Sequence, residues 1–92
     1  MITSFRHKGL KQMFEKGQVR LVDPFLRVRT ANILAVLDAA TSSRDLGGPG
    51  NRLHELKGDQ EGVWSVTVSG NWRITFRFQG GNAHDVDSVD YH

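Results

Sequence analysis

A chain of 92 residues, 38% hydrophobic and 24% charged, has the size and composition of one soluble domain, 1–92, built around a thin core. It contains no cysteine, which excludes a disulfide framework, a thiolate metal site and a cysteine nucleophile. The net charge is only +2, no apolar run approaches the ~20 residues that span a bilayer, and Met1-Ile2-Thr3-Ser4-Phe5-Arg6 lacks a secretory layout, so the expected location is cytoplasmic, away from any membrane.

In chain order, Ile2 to Arg6 reads as a short strand. A helix from Lys8 to Lys16 follows, on which Leu10, Met13 and Phe14 share one face at three-and-four spacing. Gly17 is placed to end it in a left-handed cap. Asp23 is expected to cap a second helix, with Pro24 in the first turn where its missing N–H costs nothing. Leu26, Ile33, Leu34, Leu37 and Ala40 trace the buried stripe of that helix, and Arg27, Arg29 and Asp38 are expected to face water. The stripe fades at Thr41-Ser42-Ser43. The stretch Leu46-Gly47-Gly48-Pro49-Gly50-Asn51 is dense in turn formers and reads as a connector, because no strand precedes it and no lysine follows at phosphate-loop spacing.

The second half changes period from helical to alternating. Arg52 to Lys57 reads as a strand, broken by Gly58-Asp59-Gln60-Glu61-Gly62. Val63 to Ser69 is the next, with Trp64, Val66 and Val68 on one face, and Gly70-Asn71 makes a tight turn. Trp72, Ile74, Phe76 and Phe78 line one face of the third strand, while Arg73, Thr75, Arg77 and Gln79 line the other. Gly80-Gly81-Asn82 turns the chain into a last strand from Ala83 to Tyr91. The expected fold class is α+β, with the N-terminal strand and two helices packed on one face of an antiparallel meander. The opposite face then presents Arg73 and Arg77, and the tryptophans, in phase with aliphatic neighbours, belong to the core.

No serine-histidine-aspartate triad or zinc-binding histidine pair at helical spacing is present. What remains is a scattered polar set: His54, Lys57, Arg73 and the terminal Asp90-Tyr91-His92. Cleavage of RNA by its own 2′-hydroxyl needs a group to take the hydroxyl proton, a second to protonate the departing 5′-oxygen, and cations for the crowded phosphorane. Histidine and arginine suit those tasks. Each residue also has a structural explanation. A histidine on a strand commonly serves as a surface or hydrogen-bonded residue, and Asp85, Asp87 and Asp90 can solubilise a sheet edge instead of holding a metal. Arg52, Lys57, Arg73 and Arg77 could meet a phosphate backbone or simply be solvated. His7 and His84 are assigned no role. The residues alone leave these readings open.

Four blocks narrow the choice: Phe5-Arg6-His7-Lys8-Gly9-Leu10, Arg52-Leu53-His54-Glu55-Leu56-Lys57-Gly58, Gly70-Asn71-Trp72-Arg73-Ile74-Thr75-Phe76 and Val89-Asp90-Tyr91-His92. In order and spacing they resemble the HigB toxins, the plasmid-maintenance killer proteins of the RelE/ParE superfamily. The resemblance implies a RelE-like (microbial-RNase-like) fold and endonucleolytic cleavage of mRNA codons in the ribosomal 30S A site. It implies no metal or cofactor, with a 2′,3′-cyclic phosphate as product. It places the catalytic positions on His54, Asp90, Tyr91 and His92, with Lys57 and Arg73 as phosphate-side support; Arg52 and Arg77 join the RNA-contacting set by charge.

In this reading one of His54 and His92 is the base and the other the acid, Asp90 orients a histidine, Tyr91 positions substrate, and Arg73 meets transition-state charge. Alternation puts Asp90 and His92 on one face. It gives His54 and Lys57 opposite parity, so a bulge or strand end must turn Lys57 toward the site. The implied partner is a helix-turn-helix antitoxin of the HigA type, through which the complex reaches operator DNA. Two alternatives remain: a ParE-like inhibitor of DNA gyrase on the same fold, and an RNA-binding module without chemistry.

Overall fold

The computed structural model describes residues 1–91, and the expectations placed on His92 lie outside the described residues. Helix α1 spans Lys8–Lys16. His7 caps its start, with Nδ1 accepting the Leu10 amide at 3.1 Å. Gly9 stands where a Cβ would lie 2.9 Å from Leu21 Cβ and 3.0 Å from the Leu21 carbonyl, so the following segment packs against bare backbone. Gly17 ends the helix at φ 69°, donating to the Met13 carbonyl. Leu10 and Met13 point into the core, while Phe14 sits at its margin beside Phe5, ring centroids 5.7 Å apart.

The second helix begins differently from expectation. The Asp23 carboxylate makes no capping bond; its carbonyl accepts the Leu26 amide at 2.9 Å, closing a 3₁₀ turn over Pro24–Leu26. Helix α2, Arg27–Ala39, continues from that turn. Thr30, Ile33, Leu34 and Leu37 form its buried face.

Two residues expected in water are structural ties. The Arg29 guanidinium donates to Asn51 Oδ1 at 2.7 Å and to the carbonyls of Thr67 and Val68 at 3.2 Å. Asp38 Oδ1 accepts the Ile2 amide at 2.9 Å. Helical periodicity assigns charged flank positions to solvent because it cannot register acceptors that lie far along the chain. The connector after α2 is also more ordered than its glycines indicate. Ser42 and Asp45 form a capping box around a 3₁₀ turn at Ser43–Leu46, and Leu46 is fully buried.

Four strands follow: β1 His54–Glu55, β2 Val63–Ser69, β3 Trp72–Gln79 and β4 Asn82–Asp90. They form an antiparallel sheet in the order β1-β2-β3-β4. The first is shorter than the expected Arg52 to Lys57, because Arg52 adopts φ 49°, outside the extended region. The expected N-terminal strand is reduced to two isolated parallel bridges against β4, Ile2↔Ala83 and Phe5↔Val86.

The core lies between one sheet face, carrying Val66, Ile74, Phe76, Ala83 and Val86, and the inner sides of α1 and α2. Trp64, Trp72 and Phe78 pack at its edges, as their phase in the strands predicts. A bulge in β4 makes this packing possible. Thr75 pairs with Asp87 and Arg77 with His84, so both Asp85 and Val86 face Phe76. Asp85 absorbs the extra residue at φ 54°. Ala83 and Val86, three apart, can then both enter the core, which strict alternation forbids. Among the described residues no helix is long and apolar enough to cross a membrane.

Candidate functional site

The face of the sheet turned away from the helices is organised in transverse rows, because directly paired residues project to the same side. His54, Ser65, Thr75 and Asp87 form one row. Thr67, Arg73 and Val89 form the next toward the β2–β3 turn, and Val63, Arg77 and His84 lie on the other side. The register therefore brings Arg73 and Arg77 to one face, as the alternation of β3 predicts, and the pairing of β1 with β2 adds His54 to it.

His54 is exposed, and its Nδ1 lies 3.0 Å from the Arg52 carbonyl. A carbonyl only accepts, so this bond has Nδ1 as the donor, and in the neutral tautomer it selects, Nε2 is the acceptor. The left-handed residue that shortens β1 is thus also the one that sets the ring. Arg73 curls toward the hairpin, Nη1 donating to the carbonyls of Gly70 at 2.7 Å and Trp72 at 3.2 Å. Arg77 is held at the opposite end, Nη1 3.4 Å from the Glu61 carbonyl and Nε 4.0 Å from Asp85 Oδ2. The Arg73 guanidinium is tied to the hairpin, and the exposed Arg77 guanidinium is only loosely held.

Tyr91 continues the last strand, its amide donating to the Asn71 carbonyl at 2.8 Å. Its Oη donates to Gln60 Oε1 at 3.5 Å. Gln60 belongs to the β1–β2 connection, two strands away from β4 in the sheet, so this contact runs across a face. Residue 90 pairs with Trp72 on the helix-covered side, and alternation then places Tyr91 on the open side with His54 and Arg73.

Asp90 itself therefore falls, by register, on the side opposite His54. The β4 bulge causes this, and sequence alternation counted without it could not relate Asp90 to the β3 face. The shared face expected for Asp90 and His92 lies outside the described residues. Lys57 follows β1 on the rim of a concavity of about 340 Å³ with Glu55, Leu56, Gly58 and Glu61. Since β1 stops at Glu55, the opposite parity of His54 and Lys57 places no constraint on it. Arg52 is exposed beside His54 in sequence, and its carbonyl has the demonstrable role there.

Sequence reasoning placed Thr75 on this face but missed two of its members, Ser65 and Gln60. Ser65 and Thr75, the centre of the His54 row, are both buried, and Ser65 Oγ has no hydrogen-bond partner. Gln60 carries the Tyr91 contact. Ser65 had a signal, since it alternates with core residues on its strand as Thr75 does; Gln60 in a turn had none. The result is a polar floor edged by an exposed imidazole, a phenol and two guanidiniums. Such a set can bind phosphate and exchange a proton with a ligand.

Two helices on one face of a four-stranded antiparallel meander, with an open basic face behind, define a RelE-like toxin fold. It matches a chain of the heterotetrameric YoeB–YefM toxin–antitoxin complex from Staphylococcus aureus with TM-score 0.65 and 13% identity, covering 100% of this chain and 98% of that one. A second YoeB–YefM complex from the same organism gives TM-score 0.64 at 12% identity and the same coverage. The family model described as RelE-like toxin of the type II toxin–antitoxin system HigB matches residues 3–92, and the chain belongs to that family. It is 48% identical over 92 residues to Endoribonuclease HigB of Proteus vulgaris, covering 100% of both chains. It is 33% identical over 85 residues to Toxin HigB-1 of Vibrio cholerae serotype O1, covering 90% of each.

Proposed function

We propose that this HigB-like toxin is an endoribonuclease that cuts mRNA codons in the ribosomal 30S A site and is neutralised by a helix-turn-helix antitoxin of the HigA type. Full-length similarity to a protein named as an endoribonuclease supports the activity. The observation that carries the chemistry is the exposed His54 ring, its Nδ1 engaged by the Arg52 carbonyl, on the face that holds Arg73 and Tyr91.

In the reaction the substrate 2′-oxygen attacks the adjacent phosphorus, the bond to the 5′-oxygen breaks, and a 2′,3′-cyclic phosphate forms. One imidazole removes the 2′ proton and the other protonates the 5′-oxygen; His54 fills one role and His92 the other. Arg73 stabilises the charge that builds on the phosphorane, while Arg77 and Lys57 hold flanking phosphates and Arg52 adds a further cation. Tyr91 positions the substrate, and Asp90 is assigned to orienting a histidine. The nucleophile belongs to the substrate, so the scheme calls for no metal ion.

A gyrase inhibitor on the same fold is not favoured, because such a binder has no use for an exposed imidazole among guanidiniums. Primer extension on translated mRNA tests the reading. Wild-type protein gives cuts within codons, and His54→Ala and His92→Ala each remove them with the fold intact. Undiminished cutting by both variants would dismiss the chemistry, and relaxed supercoiling without mRNA cuts would favour the gyrase reading.

A further inference from the structure

Helix α2 is apolar on both sides. Its inner positions Ile33, Leu34 and Leu37 fill the core, yet Val28, Ala31, Ala35, Val36 and Ala39 lie on the outer side, all exposed, with Asn32 the one polar residue among them. At 100° per residue these outer positions cover roughly 140° of arc. Val28 is 76% exposed, and the surface is continued toward the N-terminus by Phe25 at 68% and Leu21 at 49%. A surface helix of a soluble protein normally gives this arc to charged residues, and an apolar face of this extent marks an interaction site. Ala31, Ala35 and Ala39, four apart, leave a shallow track along which a second helix can approach closely, framed by Val28 and Val36.

The charge around this face indicates what covers it. At the Phe25 end lies a concavity of about 480 Å³ lined by Gln18, Val19, Arg20 and Arg27. Arg27 is held in place by its Nε bond to the Val22 carbonyl at 2.9 Å, which leaves its terminal nitrogens for a ligand. The first turn of α2 contains no acidic residue and no side-chain cap, so its amide end adds positive potential. The outer positions of α2 carry no carboxylate, and Asp23, exposed between Leu21 and Phe25, is a single one beside two arginines, so a second copy of the chain packed on this face would leave positive charge unmatched along the track. An apolar track does not suit RNA either.

We infer that the outer face of α2 is the docking surface for an amphipathic helix of the antitoxin, with small and aliphatic residues along the track and carboxylates at the Arg20/Arg27 end. This rests on the toxin–antitoxin reading above and adds to it the location and chemistry of the contact.

The test uses full-length toxin and a purified helix-turn-helix antitoxin of the HigA type proposed above, with affinity measured by calorimetry and cleavage by primer extension. Val36→Glu puts an unpaired charge in the track and Ala35→Trp blocks close approach. Each is expected to weaken binding at least ~100-fold, a loss typical of an interface centre, with cleavage by free toxin unchanged. Arg20→Glu with Arg27→Glu is expected to weaken it about tenfold and to reduce its salt dependence. Wild-type affinity in the Val36→Glu and Ala35→Trp variants, with unaltered melting curves, would overturn the docking site while the antitoxin reading stands. Failure of the wild-type toxin to bind would overturn the antitoxin reading and this proposal with it. Toxin self-association abolished by Val36→Glu would assign the face to a second copy instead.

Discussion

Tyr91 and Gln60, 31 positions apart, meet over the open face of the sheet, the phenol oxygen donating to the side-chain amide oxygen at 3.5 Å. The contact is long and exposed, so its value lies in placing the ring and not in holding the fold. Gln60→Ala is expected to leave folding stability within about 0.5 kcal/mol of wild type. It should raise the KM for a model RNA by a fewfold while barely changing kcat, because a ring released from one side still occupies the face. Tyr91→Phe should behave like Gln60→Ala, and Tyr91→Ala should be worse than either. Chemical denaturation and steady-state kinetics check the two halves of this statement.

Arg52 enters the account through its backbone. Its φ of 49° turns the chain into β1, and its carbonyl engages His54 Nδ1. Arg52→Gly tolerates that conformation and removes only the charge, so cleavage is expected to fall by less than about tenfold, the effect of one exposed phosphate contact. Arg52→Val forces a β-branched residue into the left-handed region, at a cost of about 1–3 kcal/mol, and should displace the carbonyl from the ring. Its cleavage is expected to fall well below that of the glycine variant. Equal loss in the two variants would assign the residue a charge role alone.

The regular elements were legible because their causes are local. Trp72, Ile74, Phe76 and Phe78 alternate without interruption, and β3 appears as expected with Arg73 and Arg77 on its other face. Gly17 ends α1 as a left-handed cap. What the sequence hid depends on partners distant along the chain or on backbone exceptions at residues other than glycine. Arg29 looked solvated because its acceptors lie 21 to 39 positions away. Asp85 gave no warning of a bulge, since aspartate at positive φ is unmarked in a strand of alternating polarity; missing it hid which sheet face Asp90 occupies. Of the candidate site, Arg73 and Arg77 share a face as alternation implied, whereas the place of His54 depends on the β1–β2 register and the Tyr91–Gln60 contact on how a turn folds over the sheet.

The Arg29 ties have an energetic consequence. Its guanidinium bonds join α2 to the end of β2 and to the Asn51 side chain. Arg29→Met keeps much of the apolar stem and leaves those acceptors without their donor, which is expected to cost about 2–3 kcal/mol. Urea denaturation should show a lower midpoint with an unchanged m-value, and free-toxin cleavage at low temperature should be largely retained.

Ser65 presents the reverse case. Its hydroxyl is buried and makes no hydrogen bond, so it contributes nothing to the fold in return for its desolvation. Ser65→Ala is expected to be neutral or stabilising by up to about 1 kcal/mol, because removing an unsatisfied polar group relieves a penalty of that order. Thermal melting decides this. A melting temperature lowered by more than a few degrees would mean that the hydroxyl has a partner in solution.

The account depends above all on His54 transferring a proton from the open face. The direct measurement is single-turnover cleavage of programmed mRNA on the ribosome by His54→Ala protein whose circular dichroism and antitoxin affinity match wild type. The predicted result is a rate lower by about 10²–10⁴-fold, the usual contribution of a positioned acid or base. A rate within a few-fold of wild type would contradict it.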